Sequence, residues 1–223
     1  KNDTVLIKTY GLKDKQNSEA IDTNTIFEIG SISKVFTTSL LQMTADAGLV
    51  KLEDDIRQYL PETIKYGFEH SITLEQLATH TSGLPRLPMN WFEDSLAIDD
   101  CNPYTHLNFD SIVAYLENPT EMGTQGEISY SNLGSGLIGH ILERVHNKPL
   151  NELLDSMIFK PLNMSHSGIE TDSSLKHLVA NGYDKKGNAA CNWQFPILAS
   201  CGAIESNIPD MLKFLKANLN SKN

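Results

Sequence analysis

The sequence predicts an α/β (α+β) fold in which helices outweigh a small β-region, and three features point there. Two short β-forming stretches, Val5 to Tyr10 and Thr25 to Ile29, flank a glycine and a polar turn. Apolar residues then recur at helical spacing in four segments: Ser31 to Ala47, Asn132 to His146, Leu150 to Phe159 and Pro209 to Leu219. With 223 residues, 40% of them hydrophobic and 21% charged, the chain can build a sizeable core as one large domain or one domain in two lobes.

In chain order, Val5 to Tyr10 (VLIKTY) reads as a strand, Gly11 with polar Lys13 to Ser18 as a turn, and Thr25 to Ile29 as a second extended segment. Gly30-Ser31 marks a strand-to-helix junction. The helix that follows places Val35, Leu40, Leu41 and Met43 near one face, with Gly48 as its C-terminal stop. Leu52 to Leu60 reads as a short helix closed by Pro61. Thr73-x-x-Gln76 is a capping box that opens a helix ending near His80. Leu84 to Pro103 holds three prolines and reads as irregular, tied to the core by Trp91 and Phe92.

The helix Asn132 to His146 carries Leu133, Leu137, Ile138, Ile141, Leu142 and Val145 at helical spacing. Inside it, Gly134-Ser135-Gly136 suits close helix packing better than phosphate binding. Leu150 to Phe159 repeats the pattern before Pro161, and both helices are expected in an α-rich lobe. Gly182-Tyr183 and a Gly202-Ala203 turn precede the helix Pro209 to Leu219, with Met211, Leu212, Phe214 and Leu215 as its apolar residues.

The net charge of −10 argues against nucleic acid as a partner, because phosphate binding needs basic patches. No apolar run approaches the roughly 20 residues that span a bilayer, so no membrane insertion is expected. The chain starts at Lys1, so any leader lies outside it. Cys101, Cys191 and Cys201 form neither a C-x-x-C pair nor an even set and are expected to be buried free thiols, without zinc or disulfide. His140 and His146 stand six apart, which does not put both imidazoles on one helix face for a metal. No cofactor is implied. The G-x-S-x-G, G-x-x-x-x-G-K-[ST] and H-E-x-x-H motifs are all absent.

The chemistry-bearing candidate is Ser31-Ile32-Ser33-Lys34. A serine and a lysine three apart share a helix face. The N-terminal end of a helix favours a developing alkoxide, and a neighbouring amine can accept or relay its proton. Chance alone gives about one S-x-x-K match in such a chain, and a second occurs at Ser173-x-x-Lys176. That copy sits in a polar stretch with no strand-to-helix entry and reads as a solvated decoy.

Phe27-Glu28-Ile29-Gly30-Ser31-Ile32-Ser33-Lys34-Val35-Phe36-Thr37 resembles the nucleophile segment of serine β-lactamase-like hydrolases, in particular the class C group with its esterase and DD-peptidase relatives. Leu49 to Asp54 with Tyr59-Leu60-Pro61, and Leu77 to Pro85, resemble the next two segments of that family in order. Tyr130-Ser131-Asn132 resembles its Y-x-N motif, preceded by Gly123 with Met122 in place of the usual proline. Gly139 to Glu143, Pro161 to Met164 and Gly202 to Ser206 through Asp210-Met211 continue the resemblance along essentially the whole chain.

The resemblance implies a β-lactamase/transpeptidase-like fold: an antiparallel sheet lobe flanked by helices plus an all-α lobe, with the sheet lobe incomplete in this chain. Residues 1–223 would form a single partial domain. Within it, 1–50 supplies sheet-lobe strands and the nucleophile helix, 51–170 the mainly α lobe, and 171–223 the return to the sheet lobe. It implies a serine acyl-hydrolase acting through an acyl-enzyme on β-lactams or related amides and esters. Carboxylesterase and D-Ala-D-Ala peptidase activity are the alternatives, as is a non-catalytic relative or inactive fragment.

By the same resemblance Ser31 is the nucleophile, Lys34 and Tyr130 handle its proton, and Asn132 orients Lys34 and the substrate amide. A phenol ionises near pH 10, so such a tyrosine needs adjacent cations. The family's K-T-G or H-x-G strand is expected downstream, with a complementing C-terminal segment as partner. Without that strand, and the oxyanion-hole donor expected on it, this stretch alone is expected to be inactive or impaired. His166-Ser167-Gly168 matches the letters but precedes the Gly202 segment and is set aside. His80 to Gly83 reads as a packing and turn element. Relatives are commonly periplasmic or secreted, so that is the expected location, with a small-molecule substrate.

Overall fold

The computed structural model describes residues 5–66, 70–92, 99 and 101–220. The first hairpin lies later than the sequence predicts. Residues 5–10 form no strand, and Val5, Leu6 and Tyr10 are exposed. Strand β1 (Leu12–Asp14) instead pairs antiparallel with β2 (Glu19–Ala20). The turn sets this register: the Asp14 carboxylate accepts the backbone N–H groups of Gln16 and Asn17 and the Asn17 side-chain amide. Strand β3 (Phe27–Glu28) lies in the expected extended segment. It pairs antiparallel with β6 (Glu205–Ser206), from almost the far end of the chain.

Helix α1 (Ser33–Asp46) follows a 3₁₀ turn at Gly30–Ile32. Gly30 takes a left-handed φ of +52°, which reverses the chain out of β3 without a side-chain penalty. The helix ends in a Schellman motif: Gly48, at φ +73°, donates to the Ala45 carbonyl, and Leu49 donates to the Thr44 carbonyl. Its buried face differs from the expected one. Val35 and Met43 are exposed, whereas Ser33, Lys34, Phe36, Thr37, Leu40, Leu41 and Thr44 are buried. Polar members are tolerated because they bond to facing backbone, as Thr37 does to the Ser200 carbonyl at 2.7 Å.

Within Leu52 to Leu60 only a 3₁₀ turn forms, Ile56–Gln58. The backbone on either side of Asp55 is spent on an extended pairing instead, Ile56 N–H to Ile72 O and Leu74 N–H to Asp54 O. Helix α2 (Leu74–Ala78) opens on the predicted capping box. Trp91 is buried as expected, its indole N–H donating to the Ser111 carbonyl. Part of the irregular stretch around it, 93–98 and 100, lies outside the described residues. Helix α3 (Phe109–Glu117) was not foreseen. Its signal is an Asn108/Ser111 capping box ahead of Ile112, Tyr115 and Leu116.

Helix α4 (Asn132–His146) matches its predicted span and is capped by the Ser131 hydroxyl accepting the Gly134 N–H. Helix α5 (Leu150–Leu154) runs into a π turn at Asp155–Phe159. Strands β4 (Gly182–Tyr183) and β5 (Ala189–Ala190) form a second hairpin, followed by α6 (Ala199–Gly202) and α7 (Ile208–Asn220). Ser173 and Lys176 of the second S-x-x-K match are exposed on a 3₁₀ turn.

The expectation of three free thiols is overturned. Cys101 and Cys191 form a disulfide with Cα atoms 5.4 Å apart, and Cys201 is left free and buried. Their separation of 90 residues hides the pairing from the sequence. Tertiary packing brings them together: Tyr104 stacks on Phe195 and meets Trp193, and the Gln194 N–H reaches the Asn102 side chain. Among the described residues no helix is long and apolar enough to cross a membrane.

Helices α1, α4 and α6 meet in one buried cluster, and small residues set their spacing. A Cβ added at Gly139 would lie 2.5 Å from Ser200 Oγ and 2.6 Å from Ser200 Cβ. Gly139→Ala is therefore expected to lower stability by about 1–2 kcal/mol in urea unfolding. So close an approach puts the overpacking cost at about 2–3 kcal/mol, the upper part of its usual range, and the helix-propensity gain of about 1 kcal/mol offsets only part of it. A variant as stable as the parent would refute this packing.

Candidate active site

Strand β3 and the left-handed Gly30 deliver Ser31 to the surface at the mouth of α1, one helical turn before Lys34. Lys34 is only 8% exposed. Its ammonium donates to Ser31 Oγ at 3.2 Å and to the Cys201 carbonyl at 2.8 Å. A buried cation needs such acceptors to offset its lost hydration. The seam around it is continued by the Ile204 N–H donating to Ser33 Oγ at 3.0 Å.

Tyr130 comes from the opposite side. Its hydroxyl donates to Ser31 Oγ at 2.7 Å, across 99 residues of sequence. Two zipped loops hold it there: Gly123 N–H donates to Gly83 O, Gly126 N–H to Thr81 O and Ser129 N–H to His80 O. Gly83 has φ +79°, and a Cβ there would strike the Gly123 carbonyl at 2.6 Å, so the site requires glycine.

The His80 ring lies 4.6 Å from the Tyr130 ring, and its Nδ1 accepts the Ser131 N–H at 3.2 Å. An accepting Nδ1 puts the proton of the neutral ring on Nε2. Burial, reinforced by the Lys34 charge, lowers the His80 pKa. Lys34 Nζ and the Arg86 guanidinium carbon lie 4.8 Å and 5.2 Å from the Tyr130 ring centroid.

The structure thus brings Ser31, Lys34 and Tyr130 together. Asn132 sits at the first turn of α4, its N–H donating to the Arg86 carbonyl. Its Oδ1 is buried without a hydrogen-bond partner, and the hydrogen bonds of the Lys34 ammonium go to Ser31 and Cys201 instead. Arg86 and the Cys201 carbonyl were missed. Neither carries a motif, since one acts through its place after a turn and the other through a backbone atom.

His166 lies away from this cluster. Its N–H donates to Asp210, and Gly168 bridges Glu205 on the β6 side. His140 pairs with Glu143, and His146 bonds to Thr44. Among the described residues no group of three or more His, Cys, Asp or Glu is placed to hold a metal.

Comparison with known proteins places this geometry in context. The sequence pattern of the Beta-lactamase family matches residues 1–223. A β-lactamase of Providencia stuartii is 29% identical over 214 residues, which is 95% of this chain and 52% of that protein. The crystal structure of a class C β-lactamase from Rhodobacter sphaeroides superposes with a TM-score of 0.79 at 25% identity, covering 96% of this chain and 57% of that one. A D-alanine carboxypeptidase from Burkholderia cenocepacia gives 0.79 at 25% identity, covering 95% and 54%. The chain spans about half the length of the curated relatives it matches.

The depressed His80 pKa carries a sign. The folded protein favours the neutral ring, so the unfolded chain binds more protons below the ordinary histidine value of about 6.5. Stability is therefore full above about pH 6.5 and falls as pH drops through that value toward the folded one. His146, also lowered chiefly by burial, adds the same sign. His80→Asn, which tolerates the φ of +60° and offers an acceptor to Ser131, should shrink the stability difference between pH 7.5 and pH 5.5 in urea unfolding. An unchanged difference would show that His80 does not titrate with folding.

Proposed function

The chain belongs to the Beta-lactamase family, and from that premise we propose that it carries the nucleophile half of a serine acyl-hydrolase. The observation that supports this most is the convergence of Lys34 Nζ and the Tyr130 hydroxyl on one exposed oxygen, Ser31 Oγ, at 3.2 Å and 2.7 Å. A serine hydroxyl is a weak nucleophile until a neighbouring base takes its proton. Here two proton carriers face it from opposite sides.

In this proposal the reacting Lys34–Tyr130 pair holds one proton fewer than the pair of donors seen on Ser31, and Ser31 Oγ bonds to the carbonyl carbon of a β-lactam, amide or ester as its proton passes to the deprotonated member of that pair. Tyr130 then returns a proton to the departing nitrogen or oxygen as the carbonyl carbon's bond to it breaks. Water cleaves the resulting ester by the reverse proton path and frees Ser31. The buried, unpaired Oδ1 of Asn132 is suited to accept an amide N–H on the acyl side of the substrate. The backbone N–H of Ser31 serves as one oxyanion donor.

A β-lactam is the first substrate class to test, because class C β-lactamases are prominent among the similar structures. The similarity to a D-alanine carboxypeptidase keeps peptide and ester substrates as the second. The Cys101–Cys191 disulfide favours an oxidising compartment, in keeping with a periplasmic or secreted protein.

Incubating the full-length natural protein with a fluorescent penicillin or a fluorophosphonate should add one label, on Ser31, by intact-mass and peptide analysis. Ser31→Ala should abolish the adduct and reduce turnover of a chromogenic cephalosporin or p-nitrophenyl ester by about 10⁴-fold or more. Equal labelling of parent and variant would sink the assignment. The better of the two chromogenic substrates separates lactamase from esterase.

A further inference from the structure

Residues 191–196 run between β5 and the buried Ile197-Leu198 pair without forming a helix or strand, and Cys191, Trp193, Gln194 and Pro196 are exposed. Such a segment has little packing of its own to hold it. It is held from outside. The Cys101–Cys191 disulfide ties its first residue to a loop 90 positions earlier, and that loop contributes further fastenings. The Gln194 N–H donates to Asn102 Oδ1 at 2.8 Å, and Tyr104 stacks on Phe195 with ring centroids 5.4 Å apart.

Two supports of the Ser31–Lys34 pair rest on this segment. The Trp193 N–H donates to the Glu28 carboxylate at 2.6 Å, on the strand that leads to Ser31. The Phe195 ring packs on Gly202 of α6, where a Cβ would lie 3.4 Å from the ring's Cζ. Gly202 follows Cys201, whose carbonyl holds the Lys34 ammonium. One covalent bond therefore fastens a strap that touches both β3 and the turn anchoring Lys34. A displacement of about 1 Å between reacting groups can cost about 10²-fold in rate.

The sulfurs are placed for exchange. Cys191 is exposed and Cys101 half-buried, so a thiolate from solution can reach the Cys191 sulfur. Cys201, the remaining thiol, is buried, and burial pushes its pKa up, which keeps it protonated and out of the exchange.

We propose that the Cys101–Cys191 disulfide is a reversible redox switch: oxidised, it holds residues 192–196 against β3 and α6 and keeps Ser31 reactive, and reduction by a dithiol lowers that reactivity. The chemistry is thiol–disulfide exchange. A thiolate of the dithiol bonds to Cys191 Sγ, the Cys101–Cys191 bond breaks, and Cys101 leaves as a thiolate that takes a proton. The reductant's second thiol then displaces Cys191 as a thiol, giving two free cysteines and a cyclic disulfide of the reductant, with two electrons transferred. The inference rests on Ser31 being the nucleophile, and its test has an arm that does not.

The full-length natural protein is labelled with a fluorophosphonate before and after dithiothreitol, with circular dichroism on the same samples. Reduction should slow modification of Ser31 by about 10-fold or more while the fold is kept, and reoxidation should restore the rate. Cys101→Ser/Cys191→Ser should react at the reduced rate with or without dithiothreitol. Phe195→Leu, with the disulfide intact, should lose rate on its own and respond less to reduction, because the two changes act through one contact with α6. A reduced protein that reacts at the oxidised rate overturns the proposal. So does one that unfolds, since the disulfide would then be a staple for the whole fold.

Hydrogen exchange in the Ser31→Ala protein removes the nucleophile from the question. Reduction should speed exchange of the backbone N–H groups of Cys201, Ala203 and Ile204, which bond to Leu198, Ala199 and Ser33. Unchanged exchange there overturns the switch whatever residue reacts. Labelling that survives Ser31→Ala would count against the nucleophile alone.

Discussion

A lysine ammonium buried between α1 and α6 is the constraint on which the rest of the site depends. Lys34 must find acceptors where water is scarce, and it finds the Cys201 carbonyl and the Ser31 hydroxyl. That pairing ties the start of α1 to α6. Thr37 to Ser200 and Ile204 to Ser33 extend the tie along the seam. Ser200 can sit there because α4 presents Gly139 to it, and its hydroxyl bonds back to the Ser135 carbonyl. Ser31, helix packing and the β3–β6 ladder are thus one connected arrangement.

Tyr130 is aimed by a second, largely backbone device. The strained turn at His80 and Gly83 offers carbonyls to the segment before α4, and the neutral His80 ring takes the Ser131 N–H. Placement by main-chain bonds leaves the phenol free to share its hydrogen with Ser31. It also leaves the Arg86 side chain facing outward while its carbonyl caps α4, so one residue holds the scaffold and faces solvent at the same time.

Where local chemistry decides, the sequence was legible. Helix α4, the Thr73/Gln76 cap and the Gly48 stop each depend on residues within a few positions, and all stand as predicted. Ser31 and Lys34 were legible because a hydroxyl and an amine three apart share a face by helix geometry alone. Tyr130 was legible only through the family resemblance, since nothing local predicts its reach to Ser31.

Non-local bonds account for the misreadings. Asp54 to Ile56 looked helical, but its backbone is satisfied across the chain by residues 72–74. The α1 face was misjudged because Ser33, Lys34, Thr37 and Thr44 are buried through partners invisible in sequence. Cys101 and Cys191 meet through an aromatic cluster assembled from two distant loops.

The central claim is that Lys34 activates Ser31 rather than merely filling the seam. The most direct measurement is the second-order rate constant for fluorophosphonate modification of Ser31 in Lys34→Met, beside circular dichroism showing that the fold is kept. Methionine retains the length and removes the charge, so the account predicts a loss of about 10²-fold or more, the usual scale for an acid–base group. A folded Lys34→Met protein modified at the parent rate would contradict it.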